Sequence, residues 1–281
     1  MTETPVEVHP LRCGDALAPP GWFFRTDASN PLRALGIGVP KSRWVGCPIG
    51  AFLLVHPSRG PLLVDTGLHP DAADRLADNF GRLNARFFST LRATRDRTVP
   101  AQLRARGIEA ADLDLVVMTH LHVDHASAMS EFPRATFVCA REEWGAATAR
   151  FGVWQGYVRS QLPASSALRL IDFSGPEAQS WGPFPAMIDL LGDGSVRLLS
   201  TPGHTRGHLS VLVRSPGRDV LIVGDALYTL RNLHEDLLPW RTADDDLYRR
   251  SMARIREYAG AHPDAQLIPT HDADVWDQVA A

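Results

Sequence analysis

Four side chains able to bind a metal, His120, His122, Asp124 and His125, fall within six residues, directly after the β-rich run Leu113–Met118. A chain leaving a strand aims alternate side chains at one point, so His120 and His122 can converge there. Asp124 and His125 can then turn toward a second point a few ångströms away. Imidazole and carboxylate donors suit zinc, with manganese, iron or cobalt possible on the same chemistry. The second half of the chain supplies matching pieces. Thr201-Pro202-Gly203-His204-Thr205-Arg206-Gly207-His208 follows one apolar run, Gly224-Asp225 follows another, and Thr270-His271-Asp272 follows the last. All three lie just past strand ends, on the side where α/β folds present their sites. A fold that satisfies this sequence must bring four distant strand ends to one place.

Short apolar runs bounded by Gly and Pro read as buried strands. Ile49–Val55 and Leu62–Val64 predict a hairpin around Pro57-Ser58-Arg59-Gly60, followed by helices over Pro70–Phe80 and Thr98–Arg106, the latter stopped by Gly107. Thr136–Ala140 is a further strand and Arg141–Ala149 a helix. Val196–Ser200, Leu209–Val213, Val220–Val223 and Gln266–Pro269 are strands, Asp244–Ala259 is a helix with a buried stripe, and a short helix ends the chain. Asp15–Gly46, Gly81–Arg97 and Phe151–Gly192 lack periodicity and read as long ordered loops. Leu62-Leu63-Val64-Asp65-Thr66-Gly67 echoes Leu221-Ile222-Val223-Gly224-Asp225-Ala226 in a second half of similar shape. The expectation is an α/β fold, a sandwich of two sheets with helices outside, formed by residues 1–281 as one domain.

Composition closes off several classes. The 281 residues carry 29 basic and 32 acidic side chains, a net charge of −3, with no concentrated basic face for nucleic acid or an anionic membrane. Cys13, Cys47 and Cys139 fit neither a disulfide framework nor a metal knuckle, which points to reduced thiols in a cytoplasmic protein. Met1–Pro10 has no leader pattern, and the longest apolar stretches are strand-sized, too short to cross a membrane.

With His-x-His-x-Asp-His followed in order by His204, Asp225 and His271, the chain resembles the metallo-β-lactamase superfamily of hydrolases over essentially its whole length. The resemblance implies the αβ/βα four-layer sandwich of that fold and two divalent metal ions, zinc first among them. His120, His122 and His204 would hold one ion, Asp124, His125 and His271 the other, and Asp225 would bridge both. Asp65, in Val-Asp-Thr-Gly, would be a buried carboxylate behind the ligands. His208 is expected to make a hydrogen bond beside the site rather than to bind metal. Asp225 argues against the β-lactamases proper, which resemble this pattern but carry a cysteine at that place.

Within the superfamily the chain looks most like the N-acyl homoserine lactonases, the quorum-quenching enzymes. Tyr228 lies three residues after Asp225, the offset at which a tyrosine hydroxyl meets the lactone in that family. Where those lactonases usually show Ala-Gly-Gly, this chain has Ala126-Ser127-Ala128. The resemblance implies opening of a lactone ring by a metal-bridging hydroxide, with Asp124 shuttling a proton to the leaving alkoxide. The substrate would be a small molecule with an apolar tail. Trp22, Phe23, Phe24, Phe87 and Phe88 are candidates to line its pocket, and exposed aromatic loops near the N-terminus would suit a homodimer. The alternatives are a thioester hydrolase like glyoxalase II or a phosphotriesterase-like enzyme, and then an iron-dependent oxidoreductase on the same scaffold. Against the glyoxalase reading, the sequence runs about ten residues past His271, with no helical glutathione-binding region.

Overall fold

The structure is a computed structural model that describes residues 5–26, 30–164 and 167–279; the first four residues of the predicted leaderless N-terminus lie outside them. Seven strands form one sheet in the order β4-β1-β2-β3-β5-β6-β7. They are β1 (Glu7–Ala18), β2 (Val45–His56), β3 (Gly60–Val64), β4 (Arg92–Ala93), β5 (Leu115–Val117), β6 (Thr136–Ala140) and β7 (Leu168–Ile171). The second sheet has the order β13-β12-β11-β10-β9-β8. Its strands are β8 (Gln179–Trp181), β9 (Phe184–Asp189), β10 (Val196–Ser200), β11 (Leu209–Ser215), β12 (Arg218–Gly224) and β13 (Gln266–Pro269). The β2–β3 hairpin forms as its turn residues predict.

Why the central strands read as continuous apolar runs is now plain: both faces of each are buried. Leu63, Val116 and Phe137 point into a core under the helices of the first half. Their neighbours Val64, Val117 and Val138 point between the sheets, where they meet Leu198, Val211 and Ile222. From the second sheet, Leu199, Leu212 and Leu221 face outward onto Tyr248, Met252 and Ile255 of the Asp245–Ala261 helix. The layers are therefore helix, sheet, sheet, helix.

Three expectations need correction. The supposed loop from Asp15 begins inside a 12-residue strand, β1, which pairs with β2 across a bulge between Arg12 and Gly14. Its alternation is masked by Pro10 and by charged residues on its solvent side. Phe151–Gly192 contains β7, β8 and β9; β7 and β8 are short edge strands, and β9 lies between β8 and β10 with its apolar run interrupted by Pro185. Helix Pro70–Phe80 is instead a 3-10 turn over Pro70–Ala73 followed by a helix over Leu76–Phe87, with Gly81 at φ 72° breaking its geometry. Gly107 does end its segment, at φ 75°. Among the described residues no helix is long and apolar enough to cross a membrane.

Candidate metal centre

Strand ends from both sheets meet at one rim. β3 and β5 run parallel, so Asp65 and Thr119 leave the first sheet side by side; β12 and β13 run parallel, so Asp225 and His271 leave the second together. The Leu209 amide donates to the Thr119 carbonyl at 3.0 Å and joins the two sheets at that rim. Three overlapping groups of donor atoms result: His120, His122 and His204; His120, His125 and Asp225; Asp124, His125 and His271. Within each group the atoms lie within 4.8 Å of one another. All seven residues that the sequence singled out are thus brought together.

The Asp225 carboxylate stands between the groups. Its Oδ2 is 3.2 Å from His204 Nε2 and 3.8 Å from His120 Nε2, while its Oδ1 is 3.4 Å from His125 Nε2 and 3.5 Å from His271 Nε2. Each oxygen faces a different set of imidazoles. His271 Nε2 is also 3.6 Å from Asp124 Oδ2. His122 Nδ1 and His204 Nε2 face each other at 2.9 Å.

Far-side hydrogen bonds aim these rings. His125 donates from Nδ1 to Asp65 Oδ2 at 2.8 Å, and His271 Nδ1 donates to the Pro48 carbonyl at 2.9 Å, leaving both Nε2 atoms turned inward. Asp65 also accepts from the Thr119 amide at 2.8 Å and from its hydroxyl, which places His120. His208 is differently used. Its Nε2 accepts from the Asp225 amide at 2.9 Å, so no lone pair remains for a cation there. Its Nδ1 donates to Thr201, whose hydroxyl donates to Ser210 and so on to the Val223 carbonyl. Gly224, at φ 62°, is needed in this chain of bonds, because a Cβ there would sit 2.7 Å from His208 Nε2.

The electrostatics fit a divalent cation. Burial pushes His120 and His204 well below the ordinary histidine range and His122 down to about 3, so all three are neutral imidazoles, the form that binds a cation. Burial acts the same way on His125, but Asp65, Asp225 and Asp124 outweigh it and hold that ring well above its usual value. Buried His120 Nε2, His125 Nε2 and Asp225 Oδ1 have no hydrogen-bond partner among the described residues. Orphaned polar atoms of this kind are rare in folded proteins, and here they converge on shared points. The donor set is one that zinc or a similar ion accepts.

Tyr228 is buried beside the cluster, its ring centroid 5.5 Å from His204 and 5.4 Å from His271. Burial raises its phenol well above the ordinary range, so the hydroxyl keeps its proton. The aromatic candidates separate. Phe23 meets Tyr228 edge-on at 5.6 Å and shares an apolar cluster with Phe24, Ala16 and Cys47. Trp22 and Phe87 pair at 6.0 Å, with Phe87 exposed at 46%. Phe88 packs instead on Phe80 in the core under the helices, away from Tyr228.

Several supporting residues escaped the sequence reading. Asn232 donates to the Phe23 carbonyl at 2.8 Å and so holds that ring against Tyr228. Ser127, where a glycine was expected, donates to Asn79 Oδ1 at 2.6 Å and accepts from the His69 amide. Glu143 is fully buried and accepts from the Leu121 amide, between His120 and His122. Its position one turn before Ala147, on the buried stripe of its helix, is the signal that could have found it.

Comparison with known proteins agrees with this geometry. Residues 45–271 match the model of the metallo-β-lactamase superfamily. The N-acyl homoserine lactonase AttM of Rhizobium radiobacter is 33% identical over 235 residues, 82% of this chain and 83% of its own length. A probable metallo-hydrolase of Mycobacterium tuberculosis is 30% identical over 292 aligned positions, 97% of this chain and 82% of that protein. A solved N-acyl homoserine lactone hydrolase, with N-hexanoyl-L-homoserine bound at its catalytic metal centre, superposes with a TM-score of 0.74. It is 22% identical over 99% of this chain and 97% of the other, a likeness of fold. By matched residues, kinship and fold alike, this chain belongs to the metallo-β-lactamase superfamily.

Proposed function

We propose that the protein is a metal-dependent hydrolase that opens the ring of N-acyl homoserine lactones. The observation that carries this reading is the place of Tyr228: a protonated, buried phenol between His204 and His271, walled by Phe23 and its apolar neighbours. The reading is supported by the activity named for the 33% identical relative.

His120, His122 and His204 would hold one divalent ion and Asp124, His125 and His271 a second, with Asp225 placed to serve both; zinc suits the donors best. When bound, such ions polarise a carbonyl and bring water into its nucleophilic form near neutral pH. The chain's own residues do the rest. Tyr228 donates its hydroxyl proton to the lactone carbonyl oxygen and holds the ester bond over the donor cluster. Asp124, buried at the inner edge of the cluster, takes the proton released by the attacking water and returns it to the alkoxide that leaves the ring. Phe23, Trp22 and Phe87 give the acyl tail an apolar wall and exclude water.

Because the donors come from both sheets, residues 1–281 act as one catalytic unit. Three buried, unbridged cysteines suit a cytoplasmic setting. The test is ring opening of a series of acyl homoserine lactones, followed by proton release, with S-acyl glutathiones and phosphotriesters as comparison substrates. Activity on lactones that is lost on chelation and regained with zinc is expected. A fully metallated protein that turns over no lactone overturns the reading.

A further inference from the structure

Of the buried carboxylates outside the seven donors, Asp65 and Glu143 hydrogen-bond to the loops that follow β5, and they serve different halves of the cluster. Asp65 reaches Thr119 and the His125 ring. Glu143, on the Arg141–Thr148 helix, reaches the other half. Its Oε1 accepts from the Leu121 amide at 2.9 Å, and Leu121 lies between His120 and His122. Its Oε2 accepts from the Thr205 hydroxyl at 2.5 Å, next to His204. The Tyr157 hydroxyl and the Gly207 amide also donate to it. Tyr157 in turn packs its ring 4.9 Å from that of His122 and forms a backbone bridge to the same residue. The Gly207 backbone is pressed onto the Glu143 backbone so closely that a Cβ there would meet the Glu143 nitrogen at 2.2 Å. No hydrogen bond or ion pair of Glu143 involves Asp124, His125 or His271 among the described residues.

We propose that Glu143 is the positioning residue of the His120–His122–His204 site: it ties the two loops that carry these rings and sets the affinity of that site separately from the other. This rests on the reading that the histidine groups hold metal ions. The physical reason lies in the partners. His120 and His122 come from one sheet and His204 from the other, so nothing in either sheet alone fixes their spacing. A single carboxylate that accepts from both loops and from the tyrosine under His122 supplies that link. A carboxamide has one acceptor oxygen, and its N–H groups face donors, so Glu143→Gln keeps the volume and loses the link.

The experiment is a titration of zinc into protein stripped by chelator, with the imidazole nitrogen signals of histidine-labelled protein reporting which rings bind. In the parent, both groups of rings shift as zinc is added. Glu143→Gln is expected to weaken binding at His120, His122 and His204 by 10- to 100-fold, the usual cost of losing such a support, with the His125 and His271 signals titrating as before. Asp65→Asn is expected to weaken the His125 side more. Lost lactone turnover in Glu143→Gln should return on raising free zinc. Equal weakening of both groups, or of neither, overturns the proposal. If Glu143→Gln does not fold, Tyr157→Phe and Thr205→Val each remove one donor and carry the test. Each is expected to weaken the same three rings about threefold or more, and an unchanged titration in both overturns it. A parent whose histidine signals do not respond to zinc, nickel or manganese would instead refute the metal-site reading itself.

Discussion

At the scale of single residues, the site depends on which nitrogen of each ring is used and which hydroxyl keeps its proton. In the proposed reaction Tyr228 can donate only because burial keeps it protonated, so Tyr228→Phe should lower kcat for lactone opening by about 100-fold, the range for loss of one oxyanion donor. Metal content should stay unchanged, as measured by elemental analysis. His208 allows a second prediction. Burial depresses its pKa to about 4, against the opposing pull of the Asp225 carboxylate. Between about 4 and the unfolded value near 6.5 the unfolded chain binds this proton and the folded one does not, so stability falls as pH drops through that window. Urea denaturation at pH 6.5 and 4.5 should show a slope smaller by about one proton in His208→Gln than in the parent, which isolates this ring from the other histidines. Much of this level was visible in the sequence: donor types and spacings single out the seven candidate ligands, and the resemblance to the lactonases singles out the tyrosine. Asn232 was not visible, and Glu143 showed only as an acid in register with Ala147; what either does is set by partners distant in sequence or brought in by the fold.

At the scale of elements, donors sit where strands end because a strand end is rigid on one side and free to turn on the other. Gly203 shows how tightly the turns are drawn. At φ 142°, it lies against the backbone of the Asp245–Ala261 helix, where a Cβ would meet Tyr248 Cα at 2.3 Å. Its carbonyl accepts from the amides of Ala243 and of Asp244, the N-cap of that helix. Gly203→Ala should therefore destabilise the protein by more than about 1 kcal/mol and loosen His204. Thermal unfolding of the metal-free protein and zinc affinity should both decline; an unchanged melting temperature would contradict the close approach. The same level explains which elements the sequence hid. Buried strands announced themselves by apolar runs, whereas β1, β7 and β8, partly solvated, have their pairing settled by neighbours rather than by their own pattern.

At the scale of the molecule, function depends on two sheets held face to face, since each contributes donors that the other lacks. Trp276, fully buried, closes this interface: it lies against Phe52 at 5.1 Å and covers Gly50, where a Cβ would meet the indole at 2.4 Å. Trp276→Ala should cost about 3–5 kcal/mol, read from the urea midpoint, with metal affinity reduced in step because His271 lies five residues away on the same rim. By itself, the sequence determined the donor inventory and the class of fold, because ligand chemistry and double-sided strand burial both leave local patterns. Only the tertiary structure decided which oxygen of Asp225 faces which histidines, that His208 is engaged by an amide, and that Asp65 and Glu143 support opposite halves of the cluster. Those are contacts between residues 17 or more positions apart, and their geometry depends on how two sheets meet, which no local pattern of the chain encodes.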